Sequence, residues 1–481
     1  MLFNSITFFL FFSLFFCLYW FITNKNLKAQ NALILIGSYF FYAWSDWRLL
    51  FFLIGVSALN YFLGIKIENT TNPKWRRFFL FIGLLQGIGG LLFFKYYNFF
   101  IISFNEAFSI GLSTLKIMVP LGISFFTFRT ISYIIDIDKG KQKACTDWVI
   151  FFSYVAFFPS LLSGPIDKAN KLIPQLEKNR NFDYNIAVDG LRQILWGLFK
   201  KVVIANNCAV ITTEVFDNYQ NLPASSLLIG TFLYTIQIYA DFSGYSDMAI
   251  GFSNLLGIKI TKNFDFPFFA QNIADFWRRW HISLTSWLTE YVFTPLCIYF
   301  RDYNNFGLTL AIVINFTLIG IWHGANWTYI LFGFLHGLYY IPLIMRGTIS
   351  KKKKLSTTSL PNIIEVFNML KTFVLVMFTF VIFKSNSIAE AFQFYKSLFS
   401  QSLLKLPVFA GVSVIYFISI LIYILFLFVM EWNARKKEHA LENFGVWLLK
   451  PIRWSVYCAL VLIVYYFSSI ISNQDFIYFQ F

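Results

Sequence analysis

Residues 408–430 read VFAGVSVIYFISILIYILFLFVM and contain no charged side chain. A helix that crosses a bilayer needs about 20 mainly apolar residues, so this run predicts a membrane-spanning helix. We expect about ten to twelve spanning helices, with re-entrant or interfacial pieces where Gly, Pro or polar residues interrupt a run. The other clear apolar runs lie near residues 6–23, 32–44, 48–66, 78–101, 117–137, 147–163, 185–213, 224–257, 307–322, 327–345, 364–384 and 454–472.

The composition extends this prediction to the whole chain of 481 residues. Hydrophobic residues make up 58% and charged residues 13%, against about 45–50% and about 25% in soluble domains. A soluble protein cannot hide so much apolar surface from water. The composition excludes a soluble enzyme, a disordered chain and a secreted disulfide scaffold. It predicts an all-α, polytopic membrane protein with one membrane domain over 1–481, in which C-terminal helices cover about 363–472.

The charge distribution indicates membrane topology. Lys and Arg number 39 and Asp and Glu 24, a formal net charge of +15. The basic residues sit in short gaps between apolar runs, as in cytoplasmic loops, so we expect no nucleic-acid partner. The N-terminus, the loop around Trp44–Trp47 and the tail after Asn473 would lie outside. The clusters expected in the cytoplasm are Lys74 with Arg76 and Arg77, Lys139 with Lys141 and Lys143, Lys351–Lys354, and Arg435–Lys437.

The N-terminus and the cysteines add little chemistry. Residues 1–28 lack a basic start and a small-x-small cleavage site, so they predict a retained transmembrane helix rather than a signal peptide. The five cysteines include no CxxC pair, and their spacing matches neither a disulfide framework nor a zinc site. We therefore expect no metal site and no bound cofactor.

Polar residues inside the apolar runs are informative, because burying them costs roughly several kcal/mol unless they are paired. Arg129 follows PLGISFFTF at 120–128 and needs a carboxylate or carbonyl partner, so a structural pair and a functional role both stay open. The segment FPSLLSGPI at 158–166 holds two prolines and a glycine that end any helix. It predicts either a re-entrant turn at a cavity mouth or an ordinary helix terminus.

A third polar cluster is QIYADFSGYSD at 237–247, with seven hydrogen-bonding side chains in eleven residues. This density is too high for a lipid-facing helix. Asp241 and Asp247 must therefore line a cavity or pair with cations. Arg278 and Arg279 are the nearest candidates in the sequence.

The segments DFWRRWH at 275–281 and WHGANW at 322–327 each hold one of the four histidines. A neutral imidazole in a low-dielectric pocket suits a general base, because burial disfavours its charged form. For His323 a catalytic and a structural role both stay open. His336 lies in an apolar run and is compatible with a core histidine, whereas His439 is expected to lie in a solvated basic loop.

Taken together, six blocks resemble the membrane-bound O-acyltransferase family, in its bacterial branch of alginate O-acetyltransferase-like proteins. The motif-rich, catalytic part would cover about residues 115–345. The blocks are PLGISFFTF at 120–128, FFPSLLSGPI at 157–166, YADFSGYSDMAIG at 239–251, NFDFPF at 263–268, DFWRRWHISLT at 275–285 and WHGANW at 322–327.

The resemblance implies a ring of helices around a central tunnel, in a multi-pass protein of the bacterial inner membrane. It implies transfer of acetyl groups from a cytoplasmic donor, expected to be acetyl-CoA acting as a substrate. The acceptor would be a hydroxyl of a cell-envelope or exported polysaccharide. Transfer would be direct or through a periplasmic partner of the SGNH acetyltransferase type.

The family's catalytic histidine matches His323, and its second motif histidine matches His281. Thioester transfer needs a base for the hydroxyl proton and hydrogen-bond donors for the developing oxyanion. Asn326 and Trp322 are the candidates for these hydrogen-bond donors. The residues expected to bind the acyl donor or line the tunnel are Arg278, Arg279, Asp275, Asp241, Asp247, Trp322 and Arg129.

Three alternatives remain. The same fold could transfer D-alanine onto teichoic acid from a carrier protein. In a secondary transporter the intramembrane Asp, Arg and His residues would form an ion pathway, although no inverted repeat is visible. A scaffold would only recruit an esterase-like partner.

Overall fold

The computed structural model describes residues 1–349, 360–446, 449–470 and 476–477. Within these ranges the regular structure is helical, which confirms the all-α prediction. Short 3₁₀ and π segments join several of the helices. The α-helices are α1 (Ile6–Cys17), α2 (Leu27–Ala43), α3 (Trp47–Asn69), α4 (Pro73–Leu91), α5 (Tyr97–Phe108), α6 (Ile123–Asp138), α7 (Trp148–Ala156), α8 (Phe158–Leu161), α9 (Ala169–Leu176), α10 (Tyr184–Leu198), α11 (Asn206–Asp217), α12 (Ala224–Leu255), α13 (Ile273–Arg279), α14 (Ile282–Leu288), α15 (Thr294–Tyr299), α16 (Asn304–His323), α17 (Trp327–Leu338), α18 (Ile341–Met345), α19 (Ile363–Lys384), α20 (Ile388–Leu398), α21 (Val414–Asn433) and α22 (Lys450–Ile470).

Eight helical stretches among the described residues are long and apolar enough to cross a membrane. They confirm a polytopic membrane protein, although the number is lower than the ten to twelve expected. The N-terminal helical stretch Ile6–Ile22 has only 17 residues, and α12 is not among the eight because its polar cluster lowers its hydropathy. The eight are Trp47–Asn69, Pro73–Phe108, Tyr184–Asp217, Arg301–His323, Trp327–Met345, Ile363–Lys384, Val414–Asn433 and Lys450–Ser469.

Side-chain caps fix where several helices begin. Asp147 accepts hydrogen bonds from the backbone N–H groups of Val149 and Ile150 at the start of α7. Asn272 does the same for α13 through the N–H of Asp275. Such caps satisfy backbone donors that have no partner inside the helix.

The chain folds into two compact units. The first comprises 1–194 with 248–261, and the second 195–247 with 262–481. The single-domain organisation stays a prediction. The Lys351–Lys354 cluster and the tail after Asn473 lie outside the described residues, except for Phe476 and Ile477.

In the first unit, Arg129 is fully buried, and its guanidinium donates hydrogen bonds to backbone carbonyl groups. Its guanidinium donates to the Ser160 hydroxyl at 2.6 Å, to the Ser160 carbonyl at 2.8 Å and to the Pro165 carbonyl at 3.3 Å. The helix break predicted at 158–166 therefore exists, and its freed carbonyls face a cation. This accounts for the buried arginine through carbonyl partners, one of the two partner types expected.

In the second unit, glycines allow α16 and α17 to pack in close contact. A Cβ on Gly320 would overlap the backbone carbonyl of Tyr329, and one on Gly333 would overlap that of Phe316. Only glycine permits backbones to approach this closely. The close packing holds the turn between the two helices, which carries the WHGANW segment.

Candidate active site

His323 is the last residue of α16 and is 4% exposed. Its imidazole packs against Phe383 with ring centroids 5.2 Å apart, and against Phe332 at 6.2 Å. The sequence motif thus places a histidine at a helix end inside an aromatic enclosure.

His281 precedes α14 and is completely buried. Its backbone adopts φ +46° and ψ +53°, the left-handed region that costs a non-glycine residue energy. Burial lowers the pKa of His281 well below its usual value, and the neighbouring His323 lowers it further. His281 is therefore neutral near pH 7.

Trp322 brings the two histidines together. The centroid of its ring system lies 5.5 Å from that of His281 and 5.1 Å from that of His323. Two histidines from separate sequence motifs thus share one aromatic contact. The site has two buried imidazoles, an arrangement suited to proton transfer during acyl transfer.

Asn263 holds the loop that carries His281. Its side-chain oxygen lies 3.0 Å from His281 Nδ1 and accepts hydrogen bonds from the Ser283 N–H at 3.2 Å and hydroxyl at 2.9 Å. Its backbone carbonyl accepts the Ile282 N–H at 2.8 Å. Asn263 opens the NFDFPF block, but nothing in that block indicates these partners, which only the folded chain brings together.

Two ion pairs account for the carboxylates of α12; Lys201–Asp241 is buried, and Lys200–Asp247 is partly buried. Lys201 Nζ lies 2.7 Å from Asp241 Oδ1, and Lys200 Nζ lies 2.6 Å from Asp247 Oδ2. The prediction that Arg278 and Arg279 are the partners was therefore wrong.

Arg279 instead pairs with Asp275 at 3.0 Å on its own helix, and Arg278 donates to the backbone carbonyl of Ile349. Both arginines follow the two carboxylates in sequence, whereas the true partners precede them. Two adjacent lysines within an apolar run were the signal that sequence reasoning overlooked.

The same polar cluster contains Glu431, a second residue that sequence reasoning missed. Tyr239 donates its hydroxyl to Glu431 Oε1 at 2.8 Å, and Glu431 is 2% exposed. Lys200 Nζ also lies 5.6 Å from the centroid of the Tyr239 ring and 2.9 Å from the Ser243 hydroxyl. A single carboxylate near the end of an apolar helix was its sequence signal.

A cavity of about 1160 Å³ lies in the second unit. Neither His281 nor His323 is among the described residues that line it. Among its walls are Asp275 and Arg279, which are paired with each other. Its charged lining residues are Asp265, Asp275, Glu290, Arg278, Arg279, Arg435 and Lys436.

Asn326 has a structural position in the fold. Its side-chain oxygen accepts the Thr328 N–H at 3.0 Å as the cap of α17, and its amide nitrogen donates to the Asn386 carbonyl at 2.8 Å. Both ends of the amide therefore bind backbone. The oxyanion role expected of Asn326 stays a prediction.

The other two histidines are buried as well. Trp277 Nε1 donates to His336 Nδ1 at 3.2 Å, as in a core histidine. His439 is 2% exposed, so the solvated position expected for it was wrong. The charged neighbours of His439 indicate a surface loop, but tertiary packing covers this histidine.

Comparisons with known proteins bear on the identity of the chain. The chain is 36% identical over 416 residues to the probable alginate O-acetylase AlgI of Pseudomonas aeruginosa, covering 83% of this chain and 75% of that protein. It is 34% identical over 409 residues to the peptidoglycan O-acetyltransferase of Helicobacter pylori, covering 78% and 74%. It is 32% identical over 284 residues to the teichoic acid D-alanyltransferase of Streptococcus thermophilus, covering 55% and 68%.

Residues 146–383 match the sequence profile of the MBOAT family, the membrane-bound O-acyltransferases. This range contains both histidines that share Trp322, the polar segment of α12 and the α16–α17 turn. The chain is an O-acyltransferase with several membrane-spanning helices, and it belongs to the membrane-bound O-acyltransferase family.

Proposed function

We propose that this enzyme transfers acetyl groups from acetyl-CoA in the cytoplasm to hydroxyl groups of a cell-envelope or exported polysaccharide. The observation that carries the proposal is the pair of buried imidazoles, His281 and His323, in contact with the Trp322 ring. We place the protein in the bacterial inner membrane. Transfer is direct or passes through a periplasmic SGNH-type acetyltransferase.

The chemistry uses one proton acceptor and one acyl donor. The acceptor hydroxyl attacks the thioester carbonyl carbon while His323 takes the hydroxyl proton. Collapse of the tetrahedral intermediate breaks the carbon–sulfur bond, and the proton passes to the departing thiolate. The aromatic enclosure around His323 excludes water, which would otherwise hydrolyse the acyl group.

The cavity supports binding of a phosphate-bearing donor. Arg278, Arg435 and Lys436 line it, and guanidinium groups bind phosphate oxygens through paired hydrogen bonds. Its volume of about 1160 Å³ exceeds the roughly 300–1,000 Å³ usual for small-molecule sites. Arg435 and Lys436 belong to a basic cluster that the charge pattern assigns to the cytoplasm.

The relatives support a polysaccharide acceptor. A probable alginate O-acetylase and a peptidoglycan O-acetyltransferase each align with more than three quarters of this chain. The D-alanyltransferase aligns with 55% of it. Acetyl transfer is therefore favoured over D-alanyl transfer to teichoic acid.

The test replaces His323 by alanine in the source cells. We expect loss of the acetate that mild alkali releases from washed envelope polysaccharide, at an unchanged protein level. His439→Gln is the control, since His439 is a buried histidine that is not among the described residues lining the cavity. Normal acetylation in the His323→Ala cells would contradict the proposal.

A second measurement separates the enzyme from a transporter. The purified protein in liposomes receives acetyl-CoA labelled on the acetyl group, together with an envelope extract of the His323→Ala cells that supplies acceptor hydroxyl groups. It should release free CoA thiol and leave the label on the polysaccharide. Intact labelled acetyl-CoA accumulating inside the vesicles, without thiol release, would contradict acyl transfer. In a parallel assay with a carrier protein charged with labelled D-alanine, label on the polymer from this donor but none from acetyl-CoA would favour the D-alanyl alternative.

A further inference from the structure

The hydrogen bonds around Asn263 decide which of its side-chain atoms is the oxygen. The two ends of an amide are hard to distinguish by shape, so the assignment must come from the partners. The Ser283 backbone N–H can only donate, and it points at the Asn263 oxygen from 3.2 Å. The amide nitrogen faces a different partner, the Ser246 hydroxyl at 3.3 Å.

This assignment determines the proton position on His281. A carbonyl-type oxygen only accepts, so His281 Nδ1, 3.0 Å from it, must carry a hydrogen. A neutral imidazole has one N–H, which leaves the lone pair on Nε2. We propose that Asn263 is a positioning residue that holds His281 as the Nδ1–H tautomer, so that Nε2 is a proton acceptor in the acyl transfer.

The role in catalysis rests on the proposed function, whereas the tautomer follows from geometry alone. The imidazolium form, in which both nitrogens donate, is disfavoured by complete burial of the ring. Neutral His281 in this tautomer cannot donate a hydrogen bond from Nε2 to an oxyanion. It can accept the proton of a hydroxyl or of the neighbouring imidazole.

Asn263 also holds the backbone of the same histidine loop. Its carbonyl accepts the Ile282 N–H, and the residue on the other side of His281, Trp280, donates its N–H to the Phe276 carbonyl at 2.9 Å. These bonds flank the residue with φ +46°. The side-chain and backbone contacts of Asn263 therefore set both the position and the tautomer of the ring.

His336 provides an internal reference with the opposite tautomer. The indole N–H of Trp277 only donates, so His336 Nδ1 accepts and its hydrogen lies on Nε2. Both rings are completely buried. One protein thus contains two buried histidines whose tautomers should be opposite.

The experiment is ¹⁵N solid-state NMR of the full-length protein, labelled at histidine, in lipid bilayers. The chain has four histidines, and His281→Gln and His336→Gln variants assign two of them. We expect His281 protonated at Nδ1 and His336 protonated at Nε2. A His281 signal protonated at Nε2 in the wild-type protein would overturn the proposal.

Two variants then test whether the Asn263 side chain sets the tautomer of His281. Asn263→Leu removes the acceptor, so the His281 signal should move to the other tautomer or become a mixture, with a loss of acetyl transfer of about 10²-fold or more. Ser253→Ala removes a different buried hydrogen bond, to the Ile258 carbonyl at 2.6 Å, and should leave the tautomer unchanged. An unchanged tautomer in Asn263→Leu would also refute the positioning role.

The outcomes remain separable from those of the proposed function. If His323→Ala still acetylates polysaccharide, the proposed function fails and the tautomer measurement is unaffected. If the tautomer is wrong while His323→Ala is inactive, only the inference about Asn263 fails.

Discussion

Replacing Lys201 by methionine removes one charge from a buried ion pair. The side chains of Lys201 and Asp241 are 5% and 4% exposed, and the charged atoms lie 2.7 Å apart. At an effective dielectric constant of about 20, Coulomb's law gives an attraction of about 6 kcal/mol. The lost desolvation penalty of the lysine offsets part of it, and breaking such pairs costs about 3–5 kcal/mol. We expect the free energy of unfolding to fall by that amount.

The double variant Lys201→Met with Asp241→Asn gives the diagnostic comparison. It removes both charges, and the asparagine oxygen can still accept the Ile477 N–H, which lies 2.8 Å from Asp241 Oδ2 in the wild-type protein. No uncompensated carboxylate then remains at position 241. We therefore expect the double variant to recover more than half of the stability lost by Lys201→Met.

The assay is unfolding in mixed micelles with rising SDS, followed by tryptophan fluorescence. Arg48→Met is the control, because the Arg48–Asp46 pair lies at the surface with the arginine 63% exposed, and such pairs contribute little. The reasoning is refuted if Lys201→Met loses less than about 1 kcal/mol, or if the double variant is no more stable than the single one.

Three further predictions use the same protein preparations. Gly320→Ala should lower the free energy of unfolding in the SDS titration by about 1–3 kcal/mol, because its Cβ would overlap a backbone carbonyl. The control Gly55→Ala has open space around its Cβ and should lose no stability. Equal stability losses in the two variants would contradict the prediction. The folded-state pKa of His281 is lowered below the value near 6.5 of the unfolded chain, so its contribution to stability is present above pH 6.5 and is lost as the pH falls below that value. The free energy of unfolding of His281→Gln should therefore depend less on pH than that of the wild type between about pH 7 and pH 5. Identical pH slopes in the two proteins would refute this. Arg278→Met should raise KM for acetyl-CoA by about tenfold or more, with a smaller change in kcat. Arg301→Met changes an exposed residue outside the cavity and should leave KM unchanged. An unchanged KM in Arg278→Met would show that Arg278 does not bind the acyl donor.

The helical membrane character could be predicted because it depends on local composition. A run such as 408–430 is apolar whatever it contacts, and α21 (Val414–Asn433) follows it closely. The exact number of spans could not be predicted, because an apolar run such as 147–163 folds into the short helices α7 and α8 rather than into one helix of spanning length. Hydropathy reports the cost of a buried charge but not the ion pair that offsets it.

The candidate site could be predicted only in part for the same reason. The motifs identify His281 and His323 as candidate catalytic residues, and in the structure both rings contact Trp322. The motif around Asn326 suggests a hydrogen-bond donor for catalysis, but its amide caps a helix and binds a distant carbonyl. Glu431 could not be assigned a partner, because Tyr239 is 192 positions away.

The sequence by itself determined that this chain is an all-α membrane protein, and its motif blocks indicated the family and two histidines. These properties are local, because hydrophobic length and short motifs lie in contiguous residues. Only the tertiary structure decided which lysines pair with the carboxylates of α12, and that Asn263 sets the proton position of His281. Partners and tautomers depend on hydrogen bonds of about 3 Å between distant residues, and those distances exist only once the helices have packed.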